Sequence, residues 1–322
     1  MSSSGTTRVA IACQGGGSHT AFTGGVLQRV IEDAPGEYEI TALSGASGGA
    51  ACATIAWAGL RRDDPGRAVA NLDGFWSDIA ARTPWGRAAN DGLLTSARLT
   101  DELGQFSISP YFNPISEVGR DVLRDAIAEH TDLDAAVAAG GEPSLYVSAV
   151  DVRNGTFELF ENGEAGVEAA VASGAIPNVF EAAEIAGEYY WDGLFSQNPP
   201  IRQFVSDAPA DEKPDEIWIV RINPRTREEV PTSTSEITDR RNELAGNLSL
   251  DQEKHTIESI NRMIEDGVIT DDRYKRIALR EVDIAPALAD DLDSHSKLDR
   301  DPGFIDRLMA HGRERAPALW NG

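Results

Sequence analysis

The chain has 322 residues, enough to bury a large core, and its length suits one large α/β domain or two small ones. Its 53 acidic and 29 basic residues give a formal net charge of −24, which disfavours nucleic acids and other polyanionic partners. No stretch approaches the roughly 20 uninterrupted apolar residues of a membrane-spanning helix, and residues 1–7 lack the basic and apolar regions of a signal peptide. We therefore expect a cytoplasmic protein with no transmembrane segment.

The choice of basic residues indicates the salt conditions of the cell. Arginine prevails, and the only lysines are Lys213, Lys254, Lys275 and Lys297. An acidic, lysine-poor surface stays hydrated in molar salt, where the Debye length is only about 3 Å and self-repulsion is screened. The composition therefore predicts a protein of a salt-loving cytoplasm, with an acidic mesophilic protein as the alternative.

Two strand–turn–helix units open the chain. Residues 8–13 form an apolar strand that ends at a run of three glycines, and residues 20–32 follow with apolar side chains at helical spacing. A second strand at 40–43 leads into a glycine-rich pentapeptide and a helix of small residues. This order is typical of a sheet sandwiched between helices.

The remaining elements are predicted as follows. Helices occupy 66–135, strands 145–150 and 157–160, a helix 167–173, a short strand 189–191 and a further strand 217–222. Alternating charge at helical spacing predicts solvated helices over 225–275, and acidic, turn-rich residues 283–301 predict a surface loop. No repeat, low-complexity tract or linker divides the chain, so we expect one domain over residues 1–322, with 223–322 as a C-terminal extension.

The pentapeptide from Gly45 to Gly49 matches G-x-S-x-G, with Ser47 at its centre. Glycines on both sides allow a sharp strand-to-helix turn that lifts the serine hydroxyl clear of the sheet. The helix then begins beneath the nucleophile, where its dipole and free N–H groups would stabilise an oxyanion. Glycine- and alanine-rich turns also produce this pattern by chance, but here a strand precedes it and a helix follows.

The glycine run consists of Gly15, Gly16 and Gly17 and lies between the first strand and the first helix. Its amides can face a ligand with no Cβ in the way, so it suits an oxyanion hole. A nucleotide site is disfavoured because Ser18-His19-Thr20 follows, which lacks both the Lys-Ser/Thr of a Walker A loop and the sixth-position glycine of a dinucleotide fingerprint. Cys13 and Cys52 lack metal-ligand spacing and are expected to be small buried side chains, so no cofactor or metal is predicted.

Asp192 follows an aromatic strand and precedes Gly193, which places it at a strand end, where sites are usually built. An aspartate there could also simply cap a turn. The surrounding sequence favours function, because 172–180 reads Ala-Ser-Gly-Ala-Ile-Pro-Asn-Val-Phe and 198–200 reads Asn-Pro-Pro.

Together with the glycine run and the Ser47 pentapeptide, these segments resemble the patatin-like phospholipase family over roughly residues 8–222, and the composition suggests a haloarchaeal-type member. The resemblance implies a three-layer α/β/α fold with a mostly parallel central sheet. It also implies a Ser-Asp dyad that hydrolyses acyl esters, with Ser47 as nucleophile, Asp192 as base and the amides around Gly15, Gly16 and Gly17 as oxyanion hole.

The chain departs from the family pattern at two places. His19-Thr20 stands where the family usually has Lys or Arg followed by Gly, and Leu194 stands where it has a small residue. Because backbone amides supply the oxyanion donors, we expect the first change to alter loop packing or charge and the second to reshape the floor of the pocket.

A Ser-His-Asp triad is the rival mechanism, since His255, His295 or His311 could complete the order Ser…Asp…His. We expect these three to be surface residues because their neighbours are polar and charged. His130 lies at a predicted helix end and His19 precedes the serine, so they are also expected at the surface.

The substrate is predicted to be a hydrophobic acyl ester, either a lipid or a storage polyester at a granule surface. An ether-linked membrane would offer few esters, which makes an intracellular polyhydroxyalkanoate depolymerase the alternative. The apolar, proline-broken residues 106–115 could line an acyl groove or simply pack in the core. A catalytically idle lipid-binding module with the same fold is a further alternative, and the sequence does not indicate an oligomeric state.

Overall fold

The structure is a computed structural model that describes residues 5–84, 86–88, 90–92, 94–95, 109–112, 114–177, 179–205, 209–284, 288, 292 and 295–321. The strands are β1 (Thr7–Cys13), β2 (Tyr38–Gly45), β3 (Ser144–Asp151), β4 (Phe157–Glu161), β5 (Ala183–Ile185), β6 (Glu188–Asp192), β7 (Glu216–Arg221) and β8 (Ala278–Asp283). The helices are α1 (Ala21–Asp33), α2 (Gly48–Leu60), α3 (Pro65–Ile79), α4 (Pro114–Glu129), α5 (Leu133–Ala139), α6 (Val167–Ser173), α7 (Thr234–Glu265) and α8 (Pro302–Arg315).

The strands form one mixed sheet in the order β5-β6-β3-β2-β1-β7-β8, with β4 also paired to β3. The five strands from β3 to β8 along this order run parallel, whereas β4, β5 and β6 are antiparallel to their neighbours. The carboxyl ends of β1 and β2 therefore lie at the same edge of the sheet, which brings the glycine run and the Ser47 turn together.

Side chains of β1 alternate between two hydrophobic clusters. Val9 and Ile11 pack with residues of α1, α2, α3 and α8, whereas Ala10 and Ala12 pack with Leu250 of α7. Because successive strand residues point to opposite faces, the two clusters are the two faces of the sheet, each covered by helices. This confirms the three-layer α/β/α sandwich and explains the unbroken apolar run, since a strand buried on both faces has no polar side.

Residues beyond 222 are more closely packed than the sequence indicates. Over 225–275 we predicted solvated helices, but α7 buries one side, including Glu243 and Leu250. Its capping box, Ser233 with Glu236, begins the helix. The surface loop predicted over 283–301 is also wrong in part, because β8 extends to Asp283 and residues 296–298 form a 3-10 turn with Ser296 buried. No helix in the described ranges is long and apolar enough to cross a membrane.

Candidate active site

Ser47 lies at a sharp turn between β2 and α2, with φ 53° and ψ −132°. A non-glycine residue in such a conformation stores about 1–3 kcal/mol of strain and is held there by its surroundings. The flanking glycines make the turn possible, because a Cβ on Gly45 would lie 2.6 Å from the Ala50 backbone and one on Gly49 would lie 2.3 Å from the Cys13 oxygen. The local pattern therefore forms the predicted strand–turn–helix.

The sheet topology brings Asp192 to this turn. Strands β2 and β6 share one edge of β3, since β4 occupies the other, and β2 ends with Gly45 opposite Val147. Strand β6 then takes over the same edge, with Asp192 opposite Ala149. Two strand residues span about 7 Å, so the carboxyl end of β6 lies directly beyond the end of β2, where Ser47 stands.

The end of α6 and the residues directly after it hold both Ser47 and Asp192. The N–H of Ser47 donates to the hydroxyl of Ser173 at 2.8 Å, and the N–H of Asp192 donates to the carbonyl of Ala175 at 3.0 Å. A Cβ on Gly193 would lie 2.4 Å from the Ser148 hydroxyl, so the residue after Asp192 must be glycine for β6 to approach β3 so closely. Ser173 and Ala175 belong to the segment that carried the family resemblance, but their role was not predicted.

The Asp192 carboxyl is buried, with 1 % exposure. One oxygen, Oδ1, accepts from the N–H of Leu194 at 2.7 Å, while Oδ2 makes no hydrogen bond to any described residue within bonding distance. Burial raises the pKa of Asp192 from 3.8 to about 7, although the Leu194 amide and the Ser47 hydroxyl both lower it. The carboxyl can therefore exchange a proton near neutral pH, and the Ser47 hydroxyl is close enough to lower its pKa.

No histidine is among the causes of the Asp192 pKa shift, which are burial, the Leu194 amide and the Ser47 hydroxyl. His255 is exposed on α7, His130 contacts Asp78 at 2.7 Å, and His311 packs against Phe22. The expectation of a surface position is wrong for His19, which is 2 % exposed because it packs beneath the C-terminal extension. Among the described residues no cluster of His, Cys, Asp or Glu could hold a metal, and Cys13 and Cys52 are both free and buried.

The three glycines of the run have different surroundings. The N–H of Gly15 donates to Oδ1 of Asn198 at 2.7 Å. This amide already has an acceptor within the protein, contrary to the expectation that it faces the substrate. Gly15 instead permits close approach, because a Cβ there would lie 2.7 Å from the Ser47 Cβ. Gly16 and Gly17 are half-buried, and among the described residues nothing accepts from their N–H groups. Their two amides therefore remain as the candidate oxyanion donors.

Leu194, the second departure from the family pattern, packs against the extension. Its Cδ1 lies 3.0 Å from the position of a Cβ on Gly246 of α7. The adjoining Phe195 is 45 % exposed. The larger side chain thus fills space between the Asp192 strand and α7. Residues 106–108 and 113 of the proposed groove segment 106–115 lie outside the described residues. Of the rest, Pro110 is buried, whereas Tyr111 and Phe112 are exposed.

The model of the patatin-like phospholipase family matches residues 11–205, more than half of the chain. The chain belongs to this family. The matched range includes Ser47, Asp192 and all three glycines of the run, and family membership supports lipid acyl hydrolase activity in general. Among solved structures, VipD from Legionella pneumophila aligns at 14 % identity with a TM-score of 0.47, over 98 % of this chain and 67 % of VipD. No curated protein sequence matches the chain.

Replacing Gly17 by alanine is expected to lower esterase activity by about tenfold or more. This is less than the roughly 10²- to 10³-fold loss in kcat that follows complete removal of one oxyanion donor. Gly17 has φ +58°, and a Cβ there would lie 2.3 Å from the Lys297 backbone oxygen, so the loop must shift. Gly155 is a matched control, because its φ is +67° but nothing lies within 4 Å of a Cβ. Initial rates of both variants test this, and equal rates would contradict it.

Proposed function

We propose that this member of the family is a serine acyl-ester hydrolase that uses Ser47 as nucleophile and Asp192 as base. The observation that carries the proposal is the buried Asp192 carboxyl. Burial raises its pKa to about 7, and the smaller opposing effect of the Ser47 hydroxyl indicates that the two side chains interact. A serine at a strained turn and a carboxylate titrating near neutral pH form a nucleophile and base pair.

In the proposed reaction the Ser47 oxygen attacks the ester carbonyl while its proton passes to Asp192. The tetrahedral oxyanion is stabilised by the amides of Gly16 and Gly17 and by the N-terminal end of α2, which begins directly after Ser47. Asp192 then returns the proton to the leaving alcohol, which leaves an acyl-enzyme. Water attacks the acyl-enzyme while Asp192 takes its proton. Asp192 then passes this proton to the departing Ser47 oxygen, which releases the acid and restores the free enzyme.

A narrow apolar crevice behind the site is the proposed place for the acyl chain. It lies between α4 and the segment that follows Ser173, and its lining includes Leu123, Ala175 and Phe180. As it stands the crevice does not admit a water molecule, so a chain enters only if a lining side chain such as Phe180 rotates. An apolar crevice favours an acyl group over a polar substrate.

A panel of esters tests the proposal. Short- and long-chain nitrophenyl esters, phosphatidylcholine vesicles and amorphous polyhydroxybutyrate granules are each offered at low and at molar KCl. Release of acid from at least one ester supports the hydrolase, and release of hydroxyacid from the granules assigns the polyester alternative. Failure on every ester, with no labelling by a fluorophosphonate probe, contradicts the enzyme and leaves the idle lipid-binding module.

We also propose that the protein is adapted to high salt, as the haloarchaeal-type assignment requires. Its net charge of −24 means that the acidic side chains on the folded surface repel one another. Molar salt shortens the Debye length to about 3 Å and so screens this repulsion. The thermal unfolding midpoint is therefore expected to rise by ten degrees or so between low and molar KCl. Sodium perchlorate at the same ionic strength separates screening from preferential hydration, and a midpoint that is flat or falls in KCl would contradict the proposal.

A further inference from the structure

The outer side of the glycine run is covered by the C-terminal extension. A Cβ on Gly17 would lie 2.3 Å from the backbone oxygen of Lys297, in the 3-10 turn Ser296–Leu298. On the inner side, a Cβ on Gly15 would lie 2.7 Å from the Ala46 oxygen. The run is therefore held between the Ser47 turn and the extension, and Lys297 lies beyond the 11–205 range that the family model matches.

The side chain of Lys297 anchors this turn to α7. Its Nζ lies 2.8 Å from Oδ1 of Asp239 and 4.0 Å from Oε1 of Glu243, and both carboxylates are almost fully buried. Arg227 also binds the two carboxylates, at 2.6 Å and 2.5 Å, and Arg240 binds Glu243 at 3.1 Å. Breaking a buried ion pair is strongly destabilising when it leaves a charge uncompensated. Here each carboxylate keeps an arginine if the ammonium is removed, so the anchor can be altered while the fold remains.

A second contact joins the extension to the residues directly after the run. The His19 Nε2 lies 2.7 Å from the Ser296 hydroxyl, and both side chains are buried. Burial, and then the charge of Lys297, hold the pKa of His19 well below its ordinary value, so the ring is neutral. Phe304 of α8 packs edge-on against the ring, with 6.0 Å between the ring centroids. The 3-10 turn that follows Gly16 is thus fixed to the extension on two sides.

We infer that Lys297 and Ser296 are positioning residues for the oxyanion hole, and that the extension sets the direction of the Gly16 and Gly17 amides. The inference rests on the proposed function and deepens it. Neither residue touches the substrate. They act through the loop, because a loop whose outer wall moves can rotate its peptide planes away from the oxyanion, and a misplacement of about 1 Å can cost a hundredfold in rate.

The test compares Lys297→Met with Lys275→Met. Lys275 is a matched control, because it is similarly exposed and also pairs with a carboxylate, at 2.9 Å from Asp215. It lies near the start of β7, at the edge of the sheet opposite to the glycine run. Measured quantities are kcat and KM on a nitrophenyl ester, the rate constant of fluorophosphonate labelling and the thermal unfolding midpoint. Lys297→Arg, which retains the charge and a donor, serves as the rescue variant.

For Lys297→Met we expect kcat and the labelling rate constant to fall together by about tenfold or more, with KM within about twofold. Lys297→Arg should recover most of this loss, and Lys275→Met should retain wild-type kcat. The unfolding midpoints show whether each variant is still folded at the temperature of the assay. If the wild type is active but Lys297→Met loses no more kcat than Lys275→Met, the inference is wrong while the proposed function stands. The same holds if Lys297→Met raises KM and leaves kcat unchanged. A wild type that neither hydrolyses esters nor labels overturns the proposed function and this inference with it.

Discussion

Replacing Ser47 by alanine is expected to reduce ester hydrolysis by about 10⁴-fold or more and to abolish labelling by a fluorophosphonate probe. The expected loss is this large because the residue supplies the atom that becomes acylated, and no other described serine stands at the start of a helix beside Asp192. The variant should fold, and removing a side chain held at φ 53° changes the strain of the turn little, since alanine meets the same restriction.

Ser44→Ala is the matched control for this prediction. Ser44 lies three residues earlier on β2, is fully buried, and its hydroxyl makes no hydrogen bond to any described residue. It should keep wild-type rates and labelling. If Ser47→Ala retained measurable labelling, or if Ser44→Ala lost activity to the same extent, the assignment of the nucleophile would be wrong.

The nucleophile turn could be predicted from the sequence because its causes are local. Gly45 and Gly49 both lie within two residues of Ser47, and each is needed where a Cβ would meet the backbone. An apolar strand before the turn and a helix of small residues after it complete the pattern. The same reasoning gave helix α6 at its observed bounds and placed most central strands to within one or two residues.

The parts of the site that depend on distant residues could not be predicted in this way. The hydrogen bond between Ser47 and Ser173 and that between Gly15 and Asn198 join segments more than a hundred residues apart. Neither side chain has a distinctive local pattern. A signal was nevertheless present, because Ser173 and Asn198 lie in the two segments that carried the family resemblance.

The packing of the extension was misjudged over 225–275, and no element was predicted over 276–282, for a related physical reason. Strand β8 reads Ala-Leu-Arg-Glu-Val-Asp, and its charged residues suggest solvent rather than a sheet edge. Arg280 and Glu281 of this strand are in fact paired with charges from neighbouring elements, Arg280 with Glu216 and Glu281 with Arg221 and Lys254. Charge periodicity alone cannot distinguish a solvated face from one whose charges are matched by another segment.

Asp192→Asn is expected to lower kcat on the order of 10³- to 10⁴-fold while raising thermal stability at neutral and higher pH. The loss of activity follows because an amide cannot accept the proton of Ser47. In the wild type the rate of acyl-enzyme formation should rise with pH and level off above about 7, since only the deprotonated carboxyl is a base. This pH dependence should be absent from the residual activity of the variant.

The stability change follows from the direction of the pKa shift. A carboxyl whose folded-state pKa is raised contributes stability that is fully present below its unfolded pKa and is lost as pH rises through the folded value. For Asp192 this window runs from 3.8 to about 7 and corresponds to about 4 kcal/mol at most. Asparagine carries no charge to desolvate, so the variant should unfold at a higher temperature than the wild type at about pH 8, and the difference should shrink toward about pH 4.

Asp151→Asn provides the opposite case on the neighbouring strand. Hydrogen bonds from Asn154, followed by those from Arg153, lower the pKa of Asp151, so its carboxylate stabilises the fold at neutral pH. This variant should therefore be less stable than the wild type at about pH 8 yet keep most of its kcat. An Asp192→Asn variant that was destabilised like Asp151→Asn, or a wild-type rate that stayed flat from about pH 5 to 8, would show that Asp192 is a structural cap rather than the base.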